Sequence, residues 1–352
     1  MLFSDNIEYS FYICQQIKEL TIMTNNSFSI RLREARLMMG LSMDKLVERT
    51  NGAITKQSIS RYEKGIMRPK RDALQAIAKA LNISEAYFEG TNLKIDVPML
   101  RTTSNGKVSE DELQALEAKL SFWTEQYLAK EKEAGFPTQF KNPIKGTRVS
   151  TQEDAIQASS LLREKWHCGD GPIASILRLL ERKGIMILAA TLPDYVFGMS
   201  TWADKKHPLM ILDINPEKSS VEKLRFTAAH ELAHLLLLFP EDSPLKLEKR
   251  CDLFASFFLL PKLTLIEELG SKKREKITLE EMIDIKELYG ASLAASIIAA
   301  RDYGIITTEY KRAWYAEHIE PNPREIGNGH YAFPETLGRE KRVNSIIKSM
   351  EK

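Results

Sequence analysis

The spacing of apolar residues along the chain predicts a protein made mostly of helices. Between residues 30 and 90, apolar side chains recur every three or four positions in five short segments, and Gly, Asn or Pro separates these segments. Such a pattern predicts a compact all-α domain. Helical spacing returns over 110–135, after a stretch without it.

Beyond residue 150 the pattern mixes helices with a few strands. Three short apolar runs predict a small sheet, at 185–189, 198–203 and 208–213. The strongest helical segment of the chain follows at 220–239. Further helices are predicted at 153–166, 172–183, 245–258, 278–289 and 293–303. The predicted fold class is therefore a multidomain protein, with an all-α domain followed by an α+β domain that holds a small sheet.

Changes in composition mark where these domains begin and end. Residues 91–109 lose helical spacing and collect Thr, Ser, Asn and Pro, which predicts a linker between domains at 30–90 and 110–314. Residues 1–29 show no clear periodicity, and we assign them no role. The segment 315–352 contains several Pro and Gly residues. We expect this segment to be a solvated tail. The alternatives are a second nucleic-acid contact and a plug over a cleft.

Composition narrows the class of protein. With 43% hydrophobic and 28% charged residues, the chain is typical of globular proteins. Its three cysteines, Cys14, Cys168 and Cys251, are too far apart for a Cys-x-x-Cys site and too few for a disulfide framework. The first residues lack the basic start and apolar run that are typical of a signal peptide, and no run of about 18 apolar residues predicts a membrane span. We therefore expect a cytoplasmic protein without membrane contact.

The charge distribution indicates an anionic partner for the N-terminal domain. The whole chain has a net charge of only +2, but residues 31–90 contain twelve Lys or Arg against seven Asp or Glu, a local excess of five positive charges. A basic surface of this kind suits nucleic acid.

The segment LSMDKLVERTNGAITKQSISRYEKGIMRP has the pattern of a helix-turn-helix, with a Gly-containing turn between two amphipathic helices. Thr55 can cap the second helix, or Ser58 can if that helix starts later. The candidates for contacts with bases or phosphates are Lys56, Gln57, Ser58, Ser60 and Arg61. The spacing of apolar residues and the charge alone do not exclude an alternative interpretation, a helical protein-interaction module with a solvated charged face.

The segment RFTAAHELAHLLLLF contains the pattern His-Glu-x-x-His in an otherwise apolar helix. Residues four apart share one helix face, so His230 and His234 can direct ring nitrogens at one metal ion. Glu231 lies about 100° further round the helix, where it can take a proton from a water molecule. Burying these polar groups without a partner would be costly, which favours a metal over hydrogen-bonded core histidines.

A catalytic zinc site needs a third protein ligand, and the segment LEKRCDLFASFFLLP offers candidates. Glu248 would complete a His-His-Glu set, but on spacing alone a solvated carboxylate at a helix start is an equally good interpretation. Asp252 can accept the second N–H of a ligand histidine. Cys251 is the competing ligand, although a buried structural thiol is its better interpretation. With three ligands in place, the expected reaction is peptide-bond hydrolysis by an activated water.

Longer motifs resemble two known families. Residues 30–90 resemble the Cro/C1-type (Xre-like) helix-turn-helix, through LREARLMMGLSMDKL, ISRYEKG, Pro69 and LQAIAKALNIS. The turn NGAITKQ is about two residues longer than that pattern. Residues 110–320 resemble the ImmA/IrrE family of metallo-endopeptidases, through FKNP, GPIASILRLLERKGI, RFTAAHELAHLLL and EKRCDLFASFFLLP.

The second resemblance implies a zincin-like fold and a complete catalytic set. It implies zinc bound by His230, His234 and Glu248, catalysis by Glu231, and a repressor or partner protein as substrate. Manganese remains a possible metal. Cys251 stands where this family often has Ala, and Ala233 where it often has Gly; neither change removes a ligand.

Three functional hypotheses follow. In the first, a zinc-dependent endopeptidase bound to a double-stranded DNA operator cleaves a repressor or a neighbouring gene product, and so switches transcription in stress, mobile-element or toxin-antitoxin regulation. The second is a transcription factor, repressor-like or antitoxin-like, whose peptidase-like domain only senses a ligand or binds a partner. The third is a plain hydrolase with a docking module. We expect a homodimer, because such modules bind paired half-sites.

Overall fold

The computed structural model describes residues 27–90, 93–95, 110–135, 139–192, 196–241, 243–270 and 273–350. The chain forms two compact units, Met1–Leu128 and Ala129–Lys352. Most of the predicted extension 1–29 and of the predicted linker 91–109 lies outside the described residues. Among the described helices, none has both the length and the apolar character that crossing a bilayer requires.

The N-terminal unit contains the five short helical segments that the apolar spacing predicts. They are α1 (27–38), α2 (Met43–Arg49), α3 (Lys56–Glu63), α4 (Arg71–Leu81) and a 3₁₀ turn (Glu85–Glu89). The longer helix α5 (Glu110–Glu133) begins in this unit. The all-α fold class of this domain is confirmed.

The core of the N-terminal unit fixes the orientation of α3. Leu46, Ile59, Ile77 and Leu81 are fully buried, as the helical spacing predicts. Phe28 is 1% exposed, so the packed domain starts slightly before residue 30.

A buried ion pair joins α1 to α3. Both oxygens of Glu63 accept from Arg36, from Nε at 2.6 Å and from Nη2 at 2.8 Å. This two-bond pairing holds the guanidinium and the carboxylate in one plane, which fixes the rotation of α3 relative to α1.

The first part of α5 belongs to the N-terminal unit, whereas the sequence prediction placed residue 110 onwards in the second domain. The ring of Phe122 packs against Tyr87 with centroids 5.5 Å apart, and Arg31 Nη2 donates to Glu125 Oε1 at 2.6 Å. These contacts join α5 to α1 and to the 3₁₀ turn. The units consequently divide after Leu128, within a continuous helix rather than in the predicted linker.

The C-terminal unit is an α+β domain with a three-stranded sheet. Its elements are α6 (Gln152–Trp166), α7 (Ile176–Arg182), β1 (Met186–Ala189), β2 (Gly198–Ala203), β3 (His207–Leu212), α8 (Val221–Leu236), α9 (Pro244–Leu259), α10 (Lys262–Leu269), α11 (Leu279–Tyr289), α12 (Leu293–Asp302), α13 (Thr308–His318) and α14 (Arg339–Met350). The predicted strands and the fold class are confirmed. Helices α10, α13 and α14 were not predicted.

The sheet and two helices position the functional residues. The strand order is β1-β3-β2, with β1 parallel and β2 antiparallel to β3, so β2 lies at an edge. Ser220 caps the start of α8 by accepting from Lys223 N. The helix packs between the sheet and α9. Ala228 and Leu232 of α8 are fully buried in that core.

The prediction of a solvated tail at 315–352 is wrong. Tyr331 is 3% and Val343 is 1% exposed, and Tyr331 N donates to Glu222 Oε1 on α8 at 2.8 Å. The Tyr331 hydroxyl donates to Ile173 O at 3.0 Å. Single buried residues separated by Pro and Gly attach this segment to the domain, and they leave no periodic pattern in the sequence.

Candidate metal centre and DNA-binding surface

Two histidines of α8 direct their ring nitrogens at the same point. His230 and His234 are one helical turn apart, and both side chains are 14% exposed. Their Nε2 atoms are 3.2 Å apart. In a tetrahedral zinc site with ligand bonds of about 2.1 Å, two ligand atoms lie about 3.4 Å apart. The spacing of the two nitrogens thus fits a shared ion.

A carboxylate from α9 completes this arrangement. Glu248 Oε2 lies 3.0 Å from His230 Nε2, and Glu248 Oε1 lies 3.7 Å from His234 Nε2. The carboxylate, half-buried at 40% exposure, remains open to solvent on one side. Three oxygen and nitrogen donors of the kind that divalent zinc prefers therefore face one position.

Asp252, one turn after Glu248 on α9, orients the first histidine. Its Oδ1 lies 2.9 Å from His230 Nδ1. A neutral His230 that donates its Nδ1 proton to Asp252 presents the Nε2 lone pair to the Glu248 carboxylate. Two electron-rich atoms at this distance repel unless a cation or a proton lies between them. The donor set thus fits a metal ion.

The same close contacts also shift the pKa values of His230 and Glu248. Burial lowers the pKa of His230, but hydrogen bonds to Asp252 and Glu248, together with the negative charges of Glu231 and Asp252, raise that pKa to about 9. Hydrogen bonds from His230 and His234 lower the pKa of Glu248 to about 2. In the metal-free protein a proton therefore compensates the charge that a cation would neutralise.

Cys251 is a second candidate for the third ligand. One donor atom each from His230, His234 and Cys251 lie within 4.8 Å of one another. However, the Cys251 sulfur is 3.9 Å from Nδ1 of His234, on the side of the ring away from the shared point. Burial also raises the pKa of this thiol far above its ordinary value, which disfavours the thiolate that binds metals. The geometry favours Glu248 over Cys251.

Glu231 directly follows His230 on α8 and is 5% exposed, and its charge acts to raise the pKa of His230. Ser200 Oγ, on the edge strand β2, donates to Glu231 Oε2 at 2.7 Å. This hydrogen bond fixes the Glu231 carboxylate between α8 and β2. No sequence pattern pointed to Ser200, because a serine in a short strand is common and its partner is far along the chain.

The predicted DNA-contacting residues lie on α3. Lys56, Gln57 and Arg61 are exposed, and Ser58 and Ser60 are partly exposed. Thr55 caps the helix by accepting from Ser58 N at 3.1 Å, so the helix starts at the earlier of the two predicted positions.

The opposite face of α3 packs inward. Ile59 and Tyr62 are buried in the domain core. Lys56 pairs with Asp44 at 2.7 Å, but both side chains are more than 60% exposed, and such surface pairs contribute little. The exposed face of α3 is thus available to a partner.

Comparison with family models agrees with both parts of the structure. Residues 32–88 match the family described as helix-turn-helix. Residues 180–298 match a peptidase family described as IrrE N-terminal-like domain. Comparisons with curated proteins and with solved structures give no match. The second match includes all four residues of the predicted catalytic set.

Proposed function

Since the chain joins an Xre-type helix-turn-helix domain to an IrrE/ImmA-like peptidase domain, we propose that it is a DNA-binding regulator that hydrolyses a peptide bond in a repressor or partner protein. The convergence of His230, His234 and Glu248 beside the buried Glu231 carries this proposal. A structural metal site has no use for a general base next to its ligands.

The donor set leads us to propose zinc as the metal, with manganese as the alternative. A divalent ion bound here would supply a Lewis acid for the scissile carbonyl and lower the pKa of water. Glu231 takes the proton of the attacking water and returns it to the leaving amine. Asp252 keeps the His230 ring in the tautomer that binds metal, and Ser200 holds Glu231 in place.

The sheet offers a binding surface for an extended peptide. Within the described residues β2 is the edge strand, and Ser200 lies in the middle of it. A peptide that pairs with this edge by main-chain hydrogen bonds would pass close to Glu231. Recognition through main-chain groups suits a protein substrate, because these groups are the same in every sequence.

Metal analysis of purified variants tests the proposed ligand set. We expect about one zinc per chain in the wild type, and we expect Glu248→Ala to lose it because two histidines alone bind a metal weakly. Cys251→Ala should retain zinc, and circular dichroism confirms folding of each variant. The reverse result, with zinc lost only from Cys251→Ala, would replace the proposed set by His-His-Cys.

Cleavage is tested with the zinc-loaded protein and the proteins encoded beside its gene. We expect one of them to be cut at a defined bond, which mass spectrometry of the products identifies. If none is cut while zinc and operator DNA are both bound, the proposed peptidase activity fails.

The DNA-binding part is tested by Arg61→Ala. Loss of one bidentate contact with a base should weaken binding to the operator by about 5- to 150-fold. The operator fragment is taken from the DNA upstream of the gene, and affinities are measured at two salt concentrations. Lys79→Ala removes an exposed positive charge from α4 and serves as the control. Unchanged affinity and salt dependence in Arg61→Ala would show that Arg61 does not contact DNA, and failure of the wild type to bind operator DNA would favour a protein-interaction module. Binding as a homodimer to paired half-sites is part of the proposal.

A second candidate function is a transcription factor whose peptidase-like domain only senses a ligand. A pocket at residues 166–183 favours it, because sensing requires a ligand site outside the metal centre.

A further inference from the structure

A pocket of about 440 Å³ opens between the end of α6, the loop that follows it, and α7. It is lined by Trp166, His167, Cys168, Ile173, Ala174, Ser175, Leu179, Arg182 and Lys183. None of these residues belongs to the metal centre. The volume is that of a typical site for a small molecule.

Part of the pocket wall is apolar. Trp166, Ile173 and Leu179 are each less than 9% exposed, yet all three line it. Lys183 Nζ lies 5.5 Å from the centre of the Trp166 ring and donates to Trp166 O at 3.4 Å. The ammonium group is thus held beside the indole, whose apolar surface can pack against the hydrocarbon part of a ligand.

Two neighbouring cations at the end of α7 line the same pocket. Arg182 and Lys183 line the pocket, and the lining includes no Asp or Glu. Burial raises the pKa of Cys168, but Arg163, Lys183 and Arg182 act in the opposite direction. Three cations thus favour negative charge at this point of the wall.

The wall is held by hydrogen bonds before any ligand arrives. Arg163 Nη2 donates to Gly169 O at 2.6 Å and to Gly171 O at 2.5 Å. Arg225 Nη2 donates to Ile173 O at 2.7 Å. Because the loop is fixed at these points, binding would require little ordering of the protein.

We propose that this pocket binds a small organic anion, namely an apolar body that carries a carboxylate or phosphate group. The Trp166 side of the pocket takes the apolar body, and Arg182 with Lys183 takes the anionic group. A neutral apolar ligand would make no charge-assisted hydrogen bond with either cation. This proposal does not depend on peptidase activity.

The test uses 8-anilinonaphthalene-1-sulfonate, an aromatic anion that fluoresces in apolar surroundings, titrated into the full-length protein. We expect one saturable site. Arg182→Gln should weaken it by about tenfold or more, because a charge-assisted hydrogen bond is lost. Ala174→Phe should abolish binding by filling the pocket. Lys273→Gln, an exposed lysine that does not line the pocket, is the control, and thermal melts show that each variant is folded.

Displacement of the dye identifies the anionic group. Displacement by decanoate indicates a carboxylate ligand, and displacement by adenosine monophosphate indicates a phosphate ligand; either result supports the proposal. The proposal is overturned if no saturable site exists, if Arg182→Gln and Ala174→Phe bind the dye as the wild type does, or if neither anion displaces the dye. Equal displacement by the neutral decanol and by decanoate would also overturn it.

Discussion

Glu231→Gln is expected to reduce peptide hydrolysis by about 10²- to 10⁴-fold while the protein keeps its metal. Glutamine has the shape of glutamate and can still accept the hydrogen bond from Ser200, so the backbone and the neighbouring ligands should stay in place. It cannot take a proton from water. The rate is measured on the substrate that the wild type cuts, with zinc content determined in the same preparations.

Ser200→Ala serves as the matched comparison for this variant. It leaves the Glu231 carboxylate present but less well positioned, and we expect a loss of about tenfold, typical of residues that orient a catalytic group. Cleavage by Glu231→Gln at the wild-type rate would mean that another group acts as base. If the wild type cuts no partner at all, the sensor function becomes the better explanation.

The metal centre was the most predictable part of the molecule, because helix geometry fixes it locally. Residues four apart on one helix must share a face, so His230 and His234 point the same way wherever the helix packs. The spacing alone did not decide whether Glu248 is a ligand, since its position depends on how α9 packs against α8. In the structure that packing places its carboxylate 3.0 Å from His230 Nε2.

Ser200 and the C-terminal segment could not be predicted for a different physical reason. Ser200 contacts a residue 31 positions away, and Glu335 contacts residues between 110 and 160 positions away. Single polar contacts over such separations leave no periodicity in the sequence. The boundary between the two units after Leu128 also could not be predicted, because α5 continues through it without a Gly or Pro.

Glu335→Ala is expected to destabilise the C-terminal unit by about 3–5 kcal/mol, because it leaves a buried cation without its counter-charge. Glu335 pairs with Arg225 of α8, and their side chains are 1% and 0% exposed. The carboxylate also accepts from Ser175 Oγ at 2.7 Å and from Ile176 N at 2.9 Å. The guanidinium of Arg225 stacks on Tyr331, 4.1 Å from the ring centre, so loss of the pair should loosen the whole segment.

Differential scanning calorimetry measures this effect as a decrease of about 10 °C in the transition of the C-terminal unit. Glu320→Ala is the matched control, since it removes an exposed carboxylate from the same segment. If the segment were a solvated tail, the two variants would have the same transition temperature. If the segment is anchored, only Glu335→Ala lowers the transition temperature. Since Arg225 lies five residues before His230 on α8, the unstable variant should also bind zinc less tightly at temperatures just below its transition. A decrease of less than about 2 °C in Glu335→Ala would show that this ion pair adds little to the stability of the domain.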